Sequence, residues 1–127
     1  MIMVEVAPGE LIDKISILEI KLKNIQDEAK LANVRREYDI LMENYRANIA
    51  ETEPLLALIG ELRDANAKIW AIEDDIRDLE RTKDFGVTFV AVARSVYQSN
   101  DLRAATKRKI NEMLNSEIIE EKSYADY

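Results

Sequence analysis

An all-α fold is predicted for this chain by three observations. Apolar residues recur at spacings of three and four along several long stretches, two-residue alternation is confined to the first residues, and there are only three glycines and two prolines in 127 residues. The expected architecture is an antiparallel helical bundle of about five helices. It divides into an extended segment at residues 1–7, the bundle at 8–115 and an acidic C-terminal tail at 116–127, all within one domain built around one core.

Each element has its own signal. Ile2, Val4 and Val6 alternate with Met3 and Glu5, the pattern of a short extended segment that needs a partner. Pro8 suits the first turn of a helix, and Glu10 and Asp13 sit favourably near the positive end of its dipole. The seam of this first helix reads Leu11, Ile15, Leu18, Leu22 and Ile25, with Ile17 and Ile20 on the opposite side. A helix apolar on two faces is central in its fold or shared with another chain. Gln26 to Lys30 reads as a tight connection to a second helix carrying Leu31, Val34, Tyr38, Leu41, Tyr45 and Ile49 on one stripe. Thr52 as N-cap and Pro54 in the first turn open a third helix, running from about Glu53 to Lys83 over roughly 45 Å. Asp84-Phe85-Gly86 breaks the pattern. A short fourth helix then carries Phe89, Val90, Ala93, Val96 and Tyr97, and Asn100 or Asp101 caps a fifth with Leu102, Thr106, Ile110 and Met113 facing inward.

Composition excludes several chemistries. There is no cysteine, hence no disulfide and no thiolate nucleophile or ligand. There is no histidine, which removes the commonest general base, Ser-His and Cys-His mechanisms, and the Glu-x-x-His motif of bundle di-iron sites. A formal charge of −7 argues against a protein that coats duplex nucleic acid or an anionic membrane. The first residues, MIMVEVAPGE, lack a positive n-region and a long apolar stretch, and nowhere do eighteen apolar residues run together, so a cytoplasmic chain is expected. Acidic pairs such as Glu61 with Asp64 and Asp75 with Asp78 fall on the polar side of helix three, so no metal site and no cofactor is expected.

One constellation stands out. Asn66, Glu73, Arg77 and Glu80 share the apolar arc of helix three with Leu62, Ile69, Trp70 and Ile76, and the spacings of four and three allow Arg77 to sit between two carboxylates. Such a cluster is a closed polar network that sets helix register and oligomeric state, or a semi-buried site in which a glutamate binds or transfers a proton and Arg77 holds an anion, or, on a helix rotated the other way, a set of simply solvated side chains. Arg94, Tyr97 and Arg103 flank the inward faces of the following helices and are candidates to join it. Arg103, Lys107, Arg108 and Lys109 form the one basic run, which could touch phosphate or an acidic partner and is read first as a solvated face or as a surface that complements the acidic tail.

The strings VAPGELIDKISILEIK (6–21), KLANVRRE (30–37), IEDDIRDLE (72–80) and the ending NDLRAATKRKIN…EEKSYADY resemble a family of small bacterial and bacteriophage proteins of unknown function. The resemblance spans nearly the whole chain. It implies a bacterial or phage cytoplasmic setting and a domain complete as written, and it carries no activity or site residue. The expected role is a non-catalytic interaction or assembly module, a homodimer able to meet a further protein partner. The alternative is a binding domain or enzyme for a small anionic ligand, centred on Glu73, Arg77 and Glu80.

Overall fold

A computed structural model describes residues 1–127. It contains four helices and no strand: α1 (Pro8–Asn24), α2 (Glu28–Asn48), α3 (Glu53–Arg81) and α4 (Val87–Met113). α1 starts at Pro8, with Ala7 in extended backbone ahead of it, and carries Lys21 and Lys23 in its last turn, where cations suit the dipole. α2 starts three residues earlier than the apolar stripe predicts. Its N-cap is Asp27, whose side chain accepts the Lys30 backbone N–H at 2.9 Å, so the connection is Ile25 to Asp27. α3 opens as expected, with the Thr52 hydroxyl accepting the Leu55 N–H at 3.3 Å.

The expected fourth and fifth helices are one. From Val87 to Met113 there is neither glycine nor proline, and the modest helix-interior penalties of Asn100 and Asp101 are outweighed by unbroken packing along α3. Both long helices end in the same way. Lys83 and Asn115 adopt left-handed backbone with φ of 59° and 54°. Asp84 N–H then bonds back to Leu79 C=O and Ser116 N–H to Asn111 C=O, each at 2.9 Å, which satisfies carbonyls the helix ends would leave open.

α1 is the central element, packing against α2, α3 and α4, whereas the α2 backbone approaches α1 alone. The place of α1 between three helices accounts for two apolar faces: Ile17 and Ile20 are both partly buried and line a groove with Ile69 and Trp70 of α3. The core is small. Ile12, Leu55, Ile59, Leu62 and Ile110 form it, with Tyr45, Ile49, Leu58 and Leu114 packed around them. Thr106 and Ile110 face inward as expected, but Leu102 and Met113, also expected inward, are 58% and 40% exposed, because the uninterrupted α4 puts Ser99 and Asn111 on its buried face with them.

Three regions lie outside this core. Residues 1–6 make no backbone hydrogen bond, and Met1 to Val4 project into solvent, so the alternating segment finds no strand partner. Residues 116–127 have no regular structure but return along α4, with Lys122 bonding Asp101 at 2.8 Å and the Tyr127 hydroxyl bonding Asp101 at 2.7 Å. The far halves of α3 and α4, residues 73–98, form an arm with no fully buried residue.

Candidate functional site

The interior is polar where α1, α3 and α4 meet. Gly9, Ile12, Asp13 and Ser16 recur at helical spacing on the buried face of α1, so a carboxylate and a hydroxyl point into the seam beside an isoleucine. Asp13 is 1% exposed. Arg103 of α4 grips it with two parallel bonds, Nε to Oδ1 at 3.0 Å and Nη2 to Oδ2 at 2.6 Å, the fork geometry that suits a guanidinium to a carboxylate. From α3, Asn66 Nδ2 donates to Asp13 Oδ1 at 2.9 Å and to Ser16 Oγ at 2.6 Å, while Ser16 Oγ–H bonds the Asp13 carbonyl at 2.9 Å. One turn further along α4, Lys107 Nζ lies 2.7 Å from Glu10, 3.1 Å from Glu120 and 3.9 Å from Asp13.

The bonds Gly9 to Asn111, Glu10 to Lys107 and Asp13 to Arg103 climb one helix while descending the other, so α1 runs against α4. Their approach is close at Gly9. Its N–H donates to Asn111 Oδ1 at 2.7 Å, and a Cβ there would lie 2.7 Å from both that oxygen and the Lys107 carbonyl. The electrostatics favour the charged forms of both cations. Hydrogen bonding to Asp13 raises the Arg103 pKa above the ordinary arginine value. Burial works to lower that of Lys107, but hydrogen bonds to Glu10 and Glu120 and the Asp13 charge outweigh it and leave it raised. No fully enclosed side-chain nitrogen or oxygen lacks a partner.

Of the residues singled out in the sequence, the structure brings together Asn66 and Arg103, which meet on Asp13. The others lie elsewhere. Arg77 turns onto Glu73 of its own helix, its side chain 69% exposed, at the rim of an open groove of about 320 Å³ floored by Ile17, Ile20 and Trp70. Glu80 pairs with Lys83 at 3.6 Å in solvent, so Arg77 does not bridge two carboxylates. Arg94 is exposed on the arm, and Tyr97 stacks edge-on against Tyr127 with centroids 5.0 Å apart. No three acidic side chains converge in an arrangement that would hold a metal ion, and no helix is long and apolar enough to cross a membrane.

The sequence reading missed Asp13 and Ser16 as interior groups, taking Asp13 for a dipole partner. A signal was there. Gly9, Asp13 and Ser16 share one face with Ile12, and two short residues flanking a carboxylate on an apolar face mark a close helix contact. Lys107 is marked in the sequence only as a member of the basic run facing the acidic tail, and Asn111 carries no comparable signal, because its role depends on how α4 is rotated against α1.

Outside this seam, Arg103, Lys107, Arg108 and Asn111 line a cleft of about 430 Å³ along α4, walled on its other side by Glu120 to Tyr124 of the tail. Glu120 reaches Lys107, and Glu121 reaches Arg108 at 3.0 Å. Lys109, the remaining member of the basic run, is exposed outside the cleft. No curated protein and no solved structure matches the chain. A family model does match it, over residues 2–127, and the chain thus belongs to the family described as a family of unknown function, DUF6165.

Proposed function

We propose that this protein is a non-catalytic assembly module that works as a homodimer, and that the arm formed by residues 73–98 is its interface. The observation that carries this reading is the state of the arm: 26 consecutive residues on two long helices without one fully buried side chain. Helices draw most of their stability from burying an apolar face. In the arm Ile76, Leu79, Phe89 and Val96 are only partly covered, while Phe85, Val87 and Val90 are exposed by 53%, 88% and 52%. Two such arms side by side would form a four-helix arrangement and bury these residues together. The ion-paired seam at Asp13 supports the non-catalytic part, since its carboxylate already accepts from Arg103 and Asn66. An anion site centred on Glu73, Arg77 and Glu80 has no enclosed cation to support it, because Arg77 is paired and exposed.

Sedimentation velocity between 1 and 100 μM tests the reading. The wild type is expected to sediment as a dimer. A Val87→Glu, Val90→Glu variant should sediment as a folded monomer, because both positions are exposed in one copy and glutamate suits the first turn of a helix. A monomeric wild type, or a variant that dimerises as well as wild type, overturns it.

A further inference from the structure

The cleft along α4 is unlike the ion-paired seam beneath it. Among its eleven lining residues only Ala104 and Tyr124 are hydrophobic, so it offers an apolar ligand no floor and suits a strongly hydrated one. Its cations are partly spent. Arg103 uses Nε and Nη2 on Asp13, and no protein group bonds its Nη1. Arg108 gives Nε to Glu112 and Nη1 to Glu121, and Lys107 shares its ammonium between Glu10 and Glu120.

Asn111 supplies a second, independent indication. It is 2% exposed and its Oδ1 is taken by Gly9, yet its Nδ2 has no hydrogen-bond partner. No fully enclosed side-chain atom in the molecule is unpartnered, so this amide opens onto solvent, and the cleft is the space that Asn111 lines. A buried amide donor, a guanidinium edge and an ammonium thus face the same space as two tail carboxylates.

We propose that this cleft binds a small phosphate-bearing polyanion through Arg103, Lys107, Arg108 and Asn111, and that Glu120 and Glu121 are its built-in competitors. The tail carboxylates hold the places of the ligand's oxygens on Lys107 and Arg108. Donors arriving from several directions fit a tetrahedral phosphate, and an Arg fork with a Lys point charge is a usual pair for it. The tail is displaceable: Glu120 and Glu121 are 66% and 73% exposed, and exposed ion pairs bias a closed state only weakly. The site is independent of association through the arm, since all its residues come from one copy.

The test is calorimetric titration of the full chain with pyrophosphate at low salt, with malonate as a carboxylate control. The wild type should bind saturably. A Glu120→Gln, Glu121→Gln variant should bind roughly 3- to 10-fold tighter, the factor by which two exposed ion pairs hold the tail closed. Arg108→Gln, at an exposed position, should keep the fold by circular dichroism and bind at least about 5-fold weaker, as loss of one charge-assisted contact implies. Amide resonances of residues 120–127 should shift when pyrophosphate displaces the tail. The proposal is overturned by no saturable binding to either wild type or the double variant, or by malonate binding as tightly as pyrophosphate. Equal affinity across all three proteins would mean an adventitious ion only, and overturns it as well.

Discussion

A carboxylate that is 1% exposed persists in an interior only if its charge is matched and its lone pairs are filled, and Asp13 meets both conditions through Arg103 and Asn66. Removing the cation alone leaves the charge buried. Arg103→Met should therefore destabilise the chain by about 3 to 5 kcal/mol in denaturant unfolding. Arg77→Met should leave the midpoint where it is, since that guanidinium pairs in solvent within its own helix. Lys107 carries part of the alkaline pH dependence, alongside Tyr45 and Tyr127, whose folded pKa values are also raised. Its pKa is raised in the folded chain, so its contribution is fully present below the ordinary lysine value of about 10.4 and is lost as pH rises through the folded value. Stability should be flat through neutrality and fall in the alkaline range, and Lys107→Met should lessen that alkaline fall. An unchanged alkaline limb in the variant would refute the assignment.

Among the elements, what the sequence makes legible is what local chemistry decides. Pro8 starts α1, Thr52 caps α3, and the chain turns between Arg81 and Val87, because capping oxygens and fixed φ values act within a few residues. The expected break at Asn100 and Asp101 fails because a preference for caps does not end a helix that is covered on both sides of them, at Val96 and Ser99 before and Thr106 and Ile110 after. For the polar seam, wheel position places Asn66 and Arg103 inward without any knowledge of partners. That they meet on Asp13, 53 and 90 residues away, depends on the mutual rotation of three helices, which periodicity does not contain. The same local reasoning makes a prediction at Gly60. It lies inside α3, and a Cβ there would meet nothing within 4 Å. Gly60→Ala should stabilise the chain by about 0.5 to 1 kcal/mol, visible as a higher denaturant midpoint with the slope unchanged.

For the molecule as a whole, the uneven spread of contacts divides the chain into parts of unequal strength. The α2 backbone touches α1 alone, and Val34 is the only residue of α2 that is fully buried. The other three helices share the ion-paired seam and most of the core, so they can hold together while α2 lets go. α2 is then a separate unit of local opening, whose backbone amides report a smaller free energy than those of α1, α3 and α4. In native-state hydrogen exchange, amides between residues 32 and 47 should exchange well before those at the Asp13 seam, and, among the helices, limited proteolysis should first nick this stretch. Uniform protection across all four helices would contradict this. If the order holds, a hydrogen-exchange map would show a scaffold of three helices that keeps its shape while α2 swings free, a detachable flank on a rigid frame.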